Sequence, residues 1–153
     1  MASLSERDWE IRLAVYQFFV DHARPPEPAE IAGAFGIGEA EARTAYQRLH
    51  DDHAFYLDPG TGVIRMANPL SAVATAFRVT VDGRRLYANC AWDSLGIPAM
   101  LHADALIDAS YTNTEGRPDP ARYAIAGGEL RGDDGLVHFP LPFRRWYDDL
   151  VHT

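Results

Sequence analysis

The spacing of the apolar residues changes once along this chain, near residues 66 to 75, and that change limits the folds open to it. Before it, apolar residues recur every three or four positions, as on the inner face of an α-helix. After it they alternate, as on a β-strand with one buried face. Helices that precede the strands, rather than alternating with them, are typical of an α+β fold. We therefore expect a helical lobe over residues 1–70, followed over residues 71–153 by a small mixed sheet with flanking helices.

The first part contains three predicted helices. The first begins after Ser5, a residue type favoured as an N-cap, and runs to about residue 22. Three prolines end it, a short second helix closes at Gly36, and a third covers residues 39–53. The stretch AFYLDPGTGVIRMA then predicts a hairpin, because a proline and two glycines separate two β-prone runs. The residues predicted to form the inner faces are Trp9, Leu13, Tyr16, Val20, Ile31, Phe35, Ala42, Ala45, Tyr46 and Leu49.

Three helices and a hairpin form a winged-helix-like pattern, which is often used to bind DNA. The charges oppose that function here, since residues 1–70 hold six arginines against eleven acidic residues. Phosphate binding depends on clustered positive charge, and the whole chain carries a formal net charge of -8. We therefore predict no nucleic-acid partner, and we interpret this lobe as a structural or substrate-covering module.

The composition limits which cellular compartment and which binding partners we expect for this chain. Apolar residues make up 47% of the chain and charged residues 24%, and no apolar run is long enough to cross a bilayer. The N-terminal residues lack the basic start and apolar stretch of a signal peptide. The single cysteine, Cys90, cannot form an internal disulfide. We expect a cytoplasmic protein without a membrane partner that acts on a small molecule, with a homodimer left open.

The second part opens with a strand in which Phe77, Val79 and Val81 alternate before a turn. From Ala88 to Leu101 the spacing becomes helical, with an interruption where a glycine and a proline predict a kink or a second turn. Further strands are predicted over residues 105–112, 121–127 and 135–139, and a terminal helix over residues 142–151.

Cys90 follows a strand and a turn, in the first turn of this helix, and Asp93 comes three positions later. Unpaired N–H groups and the positive end of the helix dipole favour the thiolate there, which lowers a thiol pKa. The spacing places both side chains on one helix face, about one turn apart. A thiolate beside a carboxylate is disfavoured, so the pair is expected to hold one proton between them. Taken alone, a C-x-x-D spacing favours a packing cysteine and an exposed or capping aspartate.

The stretch DGRRLYANCAWDSLGIPAML, preceded by a winged-helix-like lobe, resembles the active-site segment of the organomercurial lyases, also called alkylmercury lyases. In that family the matching cysteine is the nucleophile that captures mercury, and the matching aspartate carries the proton delivered to carbon. The resemblance therefore implies that Cys90 is the nucleophile and a transient mercury ligand, and that Asp93 is the proton donor. It implies carbon–mercury protonolysis without a resident cofactor.

The chain departs from the family at the second catalytic cysteine, which the family carries just before a strand with a His-Phe pair. Here the comparable stretch GLVHF keeps Val137, His138 and Phe139, yet no cysteine precedes it. Asp134 or a neighbour stands at that place, and a carboxylate is a hard ligand that suits mercury poorly. Either one thiol acts with an exogenous one, or the scaffold serves another lyase reaction or a non-catalytic thiol or metal-binding regulatory role.

Five residues are predicted to line the substrate pocket: Tyr87, Trp92, Tyr111, Asp134 and His138. Other arrangements stay open in the sequence. Cys90 with His102 or His138 has the composition of a thiol hydrolase pair, although no glycine-rich oxyanion turn accompanies it. His50 and His53 have a metal-ligand spacing at the end of a polar helix, and Arg84 with Arg85 has the charge to hold an anionic substrate.

Overall fold

A computed structural model describes residues 4–139, 141–148 and 150 of the chain. Its α-helices are α1 Glu6–His22, α2 Pro28–Phe35, α3 Glu39–Asp51 and α4 Ala91–Leu101. Its strands are β1 Tyr56–Leu57, β2 Ile64–Ala67, β3 Leu70–Ser71, β4 Phe77–Val81, β5 Arg84–Ala88, β6 Ala105–Thr112, β7 Pro118–Ala126 and β8 Glu129–Gly132. A 3-10 helix spans Phe143–Asp148. The helical N-terminal lobe and the α+β class are confirmed.

The three N-terminal helices lie close to their predicted positions, but only part of the inner face predicted for α1 packs inward. Ser5 caps it as predicted, through a capping box with Asp8. Trp9 and Leu13 are 47% and 66% exposed, so their predicted inner position is wrong. Val20 is buried as predicted and Tyr16 packs against the core, and the rest of the inner face is formed by Ile11, Val15 and Phe19. The predicted face of α3 is buried in full, namely Ala42, Ala45, Tyr46 and Leu49.

One carboxylate is buried between α1 and α3. Asp8 is only 2% exposed, and Arg48 of α3 donates to it from Nη2 at 2.6 Å and from Nε at 3.1 Å. Ser5 Oγ donates to the same carboxylate at 2.7 Å. The Arg48 guanidinium and these hydrogen bonds hold the pKa of Asp8 at about 2, although burial acts in the opposite direction. The pair therefore ties the first helix to the third.

The strands form one eight-stranded sheet in the order β1-β2-β3-β5-β4-β6-β7-β8. The sequence predicted a mixed sheet, whereas every pairing among the described strands is antiparallel. The predicted hairpin forms β1 and β2, and β3 links them to β5. The boundary expected between the helical lobe and the sheet, at residues 70 and 71, falls inside β3. One hydrophobic core includes both Ile11 of the first helix and Ile107 of β6.

The C-terminal part differs most from the predictions. The strands expected over 105–112 and 121–127 are present as β6 and β7. Residues 135–139, predicted as a strand, have no regular secondary structure, and all five are exposed. Strand β8 precedes them and pairs with β7, and none of the described strand pairings includes residues 135–139. The predicted terminal helix is a short 3-10 helix; residues 149 and 151 of that segment lie outside the described residues.

None of the helices within the described ranges is long and apolar enough to cross a membrane.

Asp8→Asn is expected to lower the free energy of unfolding at pH 7 by about 2 kcal/mol, because it removes the charge paired with Arg48. The folded-state pKa lies below the unfolded one, so this stability is present above pH 4 and lost as the pH falls toward the folded value of about 2. Urea denaturation of wild type and variant at pH 7 and pH 3 measures the difference.

The matched control is Glu39→Gln, which breaks the exposed pair with Arg43 on α3 and should change stability by less than about 0.5 kcal/mol. A wild-type advantage over Asp8→Asn that stays constant down to pH 2 would contradict this role of Asp8.

Candidate active site

The junction between β5 and α4 places Cys90 at the start of a helix. Cys90 is the N-cap of α4, with extended backbone angles of φ -147 and ψ -179. Its carbonyl accepts the first helical hydrogen bond from the Ser94 N–H at 3.0 Å. The predicted second turn is absent, because α4 continues through Gly96 and Pro98 to Leu101. Asp93 lies in the first turn, so both reactive groups are at the same end of the helix.

Cys90 and Asp93 line a cavity of about 160 Å3. One wall comes from β2, β3 and the segment that follows β3, and includes Met66, Ser71 and Thr75. The opposite wall comes from Trp92 and from the C-terminal residues Val137, His138, Phe139, Trp146 and Leu150. A site of this volume holds a ligand about the size of benzene.

Burial raises the pKa of the Cys90 thiol above its usual value. The backbone N–H groups of Asp93 and Trp92 lower it, as expected at a helix N-terminus, while the Asp93 carboxylate raises it further. The predicted lowering of the thiol pKa is therefore wrong in sign. The N–H groups at the start of the helix do lower the thiol pKa, but burial of the side chain raises it by more.

Burial also raises the pKa of Asp93, and hydrogen bonding to the Asn89 side chain and to the Cys90 thiol acts in the opposite direction. The Asp93 carboxylate thus makes ionisation of the Cys90 thiol less favourable, whereas the Cys90 thiol stabilises the Asp93 carboxylate through a hydrogen bond. The hydrogen bond between the Cys90 thiol and the Asp93 carboxylate gives the thiol proton a direct path from one group to the other.

A hydrogen-bonded chain supports this pair from the N-terminal lobe. Asn89 Nδ2 donates to Asn68 Oδ1 at 2.8 Å, and the Tyr16 hydroxyl donates to the Asn68 carbonyl at 2.8 Å. The charge of Asp93 contributes to raising the pKa of Tyr16, after burial as the main cause. The first helix therefore reaches the reactive end of α4. No local sequence pattern indicates this contact, because Tyr16 and Asn68 lie 52 positions apart.

Three of the residues that line the cavity form an aromatic cluster. Trp92 meets Phe139 edge to face with ring centroids 6.0 Å apart, and Phe139 stacks on Trp146 at 5.4 Å. Trp146 Nε1 donates to the Leu141 carbonyl at 3.0 Å. The exposed segment before the 3-10 helix is thus attached to the first turn of α4 through side-chain contacts rather than through strand pairing.

The structure brings only some of the predicted pocket residues to Cys90. Trp92 and His138 line its cavity. Tyr111 and Asp134 line a neighbouring cavity of about 170 Å3, which shares Ala91 and Val137 with the first. Tyr87, on β5 opposite Arg78, lines neither cavity. Asn68, Asn89 and Met66 line the cavity of Cys90 and were not singled out from the sequence.

Cys90 and His138 line one cavity, whereas the other alternative arrangements receive less support from the geometry. His102 is the C-cap of α4, at the end opposite Cys90, so the two do not form a pair. His53 stacks on Tyr147 at 3.8 Å, and the described residues contain no group of three or more His, Cys, Asp or Glu side chains placed to hold a metal ion. Arg84 and Arg85 lie at the start of β5, away from the cavity.

Comparison with known proteins gives a family match that includes this site. The family model described as alkylmercury lyase matches residues 70–151. A solved structure described as the mercury-bound form of MerB2 aligns over 85% of this chain with a TM-score of 0.67 and 22% identity, which shows a shared fold. The chain spans 61% of the length of that protein. No curated protein matches the chain.

Asp93→Asn is expected to increase the rate at which iodoacetamide alkylates Cys90 at pH 8 severalfold. The substitution removes the carboxylate that raises the thiol pKa, so a larger fraction of Cys90 is thiolate. The alkylation rate between pH 6 and 10 measures this, and the midpoint of the profile should move to lower pH.

Asp82→Asn is the matched control, since it removes one negative charge at an exposed turn between β4 and β5. It should leave the profile unchanged. A profile for Asp93→Asn that coincides with that of wild type would mean that the two groups do not interact.

Proposed function

The chain belongs to the alkylmercury lyase family, and we propose that it cleaves carbon–mercury bonds by protonolysis, with Cys90 as the nucleophile and Asp93 as the proton donor. The observation that carries this proposal is the meeting of the two groups in one cavity at the N-terminus of α4. Family membership supports the reaction type, since the matched residues 70–151 include both.

The first step in the proposed reaction is the capture of mercury by sulfur. Mercury(II) is a soft ion, so a thiolate is its preferred ligand. The Cys90 thiol loses its proton as the sulfur–mercury bond forms, and Asp93 is the acceptor within reach. Transfer within the pair avoids the build-up of two negative charges in a cavity where burial raises the pKa of both groups.

The second step breaks the carbon–mercury bond. Coordination by sulfur increases the electron density on the carbon bound to mercury, and the Asp93 carboxylic acid protonates that carbon. The hydrocarbon R–H leaves, and mercury stays on Cys90. The thiol proton ends on carbon, so the balance is R–Hg–X plus thiol giving R–H plus S–Hg–X, with no proton exchanged with solvent. Asp93 returns to the carboxylate form.

The cavity suits a small apolar organic group. A volume of about 160 Å3 holds a group of benzene size, and the rings of Trp92, Phe139 and Trp146 offer an apolar wall. We propose phenyl- and short alkylmercury compounds as substrates. His138 lines the same wall and is proposed to contact the substrate.

The single cysteine requires another thiol for turnover. Asp134, at the place of the family's second catalytic cysteine, lines the neighbouring cavity rather than that of Cys90. We propose that a small exogenous thiol removes mercury from Cys90. The alternative with specific support is a non-catalytic mercury-binding regulatory protein, because one thiolate suffices to bind mercury but not to pass it on.

The N-terminal lobe is proposed to support the site rather than to bind nucleic acid, since Tyr16 holds the Asn68 carbonyl beside the cavity. The pair supplies both the nucleophile and the proton, so the reaction needs no resident cofactor. A cytoplasmic location fits the use of a free thiol.

Wild-type protein incubated with phenylmercury acetate and excess cysteine is expected to release benzene, measured by gas chromatography of the headspace. Cys90→Ser should abolish the release, because it removes the mercury ligand. Asp93→Asn should slow it by about 10²- to 10⁴-fold, the usual contribution of a positioned acid, while mercury still binds.

Asp82→Asn is again the control, because it changes the net charge by the same amount as Asp93→Asn. It should release benzene at the wild-type rate. Equal benzene release by Cys90→Ser and wild type would contradict the mechanism. Binding of one mercury per chain without benzene would instead support the regulatory alternative.

A further inference from the structure

Met66 lies in the wall of the cavity that holds Cys90, and its surroundings differ from those of most buried apolar side chains. It is on β2 and only 7% exposed. The contiguous hydrophobic core includes Ile64 and Ala67 of the same strand but not Met66. Directly opposite it in the β2–β3 pairing is Ser71, which lines the same cavity. Met66 is therefore buried against the cavity rather than within the core.

The neighbouring hydroxyl groups are engaged elsewhere. Ser71 Oγ donates to the Val73 carbonyl at 2.9 Å, and Thr75 Oγ1 donates to the Ala88 carbonyl at 2.6 Å. Of the lining residues that the structure describes, Cys90 and Met66 are the two that carry sulfur. Thiolate and thioether are the soft ligands among protein side chains, and they select soft metal ions.

We propose that the Met66 thioether is a second sulfur ligand for the mercury held by Cys90, an inference that rests on the proposed function. A thioether donates a lone pair without losing a proton, so this contact leaves the proton balance of the Cys90–Asp93 pair unchanged. No covalent bond of Met66 forms or breaks apart from this dative one.

The two sulfurs have different roles in this account. The thiolate of Cys90 binds mercury strongly and anchors it, whereas the neutral thioether of Met66 binds it weakly and slows its loss. The chain contains no other cysteine, so a second thiolate comes from outside, and it displaces the thioether when it takes mercury away.

The direct test is NMR of protein labelled with 13C at the methionine methyl groups, with mercuric chloride added to one equivalent. The chain has three methionines, and Met66→Leu and Met100→Leu assign the signals of Met66 and Met100. The Met66 methyl signal is expected to shift when mercury binds. That of Met100, which packs against the core, should stay in place. In Cys90→Ser neither signal should shift.

The second measurement is the rate at which bound mercury passes to a competing dithiol. Met66→Leu conserves side-chain volume and should keep the fold, yet it should lose mercury about tenfold faster than wild type. Met100→Leu is the matched control and should lose mercury at the wild-type rate.

An unshifted Met66 signal while the Cys90 thiol is mercurated would overturn the proposal, and so would equal mercury loss from the two leucine variants. These results are independent of turnover. A shifted Met66 signal in a protein that releases no benzene would support the ligand assignment and overturn the proposed reaction instead.

Discussion

The Cys90 thiol and the Asp93 carboxyl share a half-buried cavity in which burial raises the pKa of both. Charging both at once is unfavourable there, so the pair favours keeping at least one proton. An isolated cysteine at a helix N-terminus would be a reactive thiolate. Here Cys90 is instead a thiol, and it gives up its proton only when a soft metal ion such as mercury(II) binds to the sulfur. The proposed reaction uses that exchange, since the displaced proton is the one that carbon receives.

The fold holds this pair in place from three directions. The β3–β5 pairing, with Leu70 opposite Ala88, sets the end of the strand from which Cys90 follows. Gly96 lets α4 approach the loop before β3, because a Cβ at that position would lie 3.2 Å from Pro69 Cβ. The neighbouring Asn68 bonds both to Asn89 and to Tyr16 of the first helix. The N-terminal lobe and the sheet are thus parts of one support for the end of α4.

Features that depend on neighbours in sequence could be predicted, and those that depend on distant contacts could not. The alternation of Phe77, Val79 and Val81 identified β4, and the spacing of Cys90 and Asp93 placed them on one helical turn. The same local reasoning gave the wrong sign for the Cys90 pKa, because burial is a property of the folded chain. It also treated GLVHF as a strand, although alternation cannot show whether a partner strand exists. Asn68 and Met66 carry no local pattern that marks them as neighbours of Cys90.

In the proposed reaction the proton of the Cys90 thiol ends on carbon, and this can be measured as proton release during a single turnover. Phenylmercury acetate is mixed with excess protein in weak buffer at pH 7, and a pH indicator and benzene are followed together. Protonolysis by the Cys90–Asp93 pair should release one benzene per phenylmercury, with no net proton release to solvent. Release of one proton per mercury bound, without benzene, would show that Cys90 acts as a simple thiol ligand and would contradict the account.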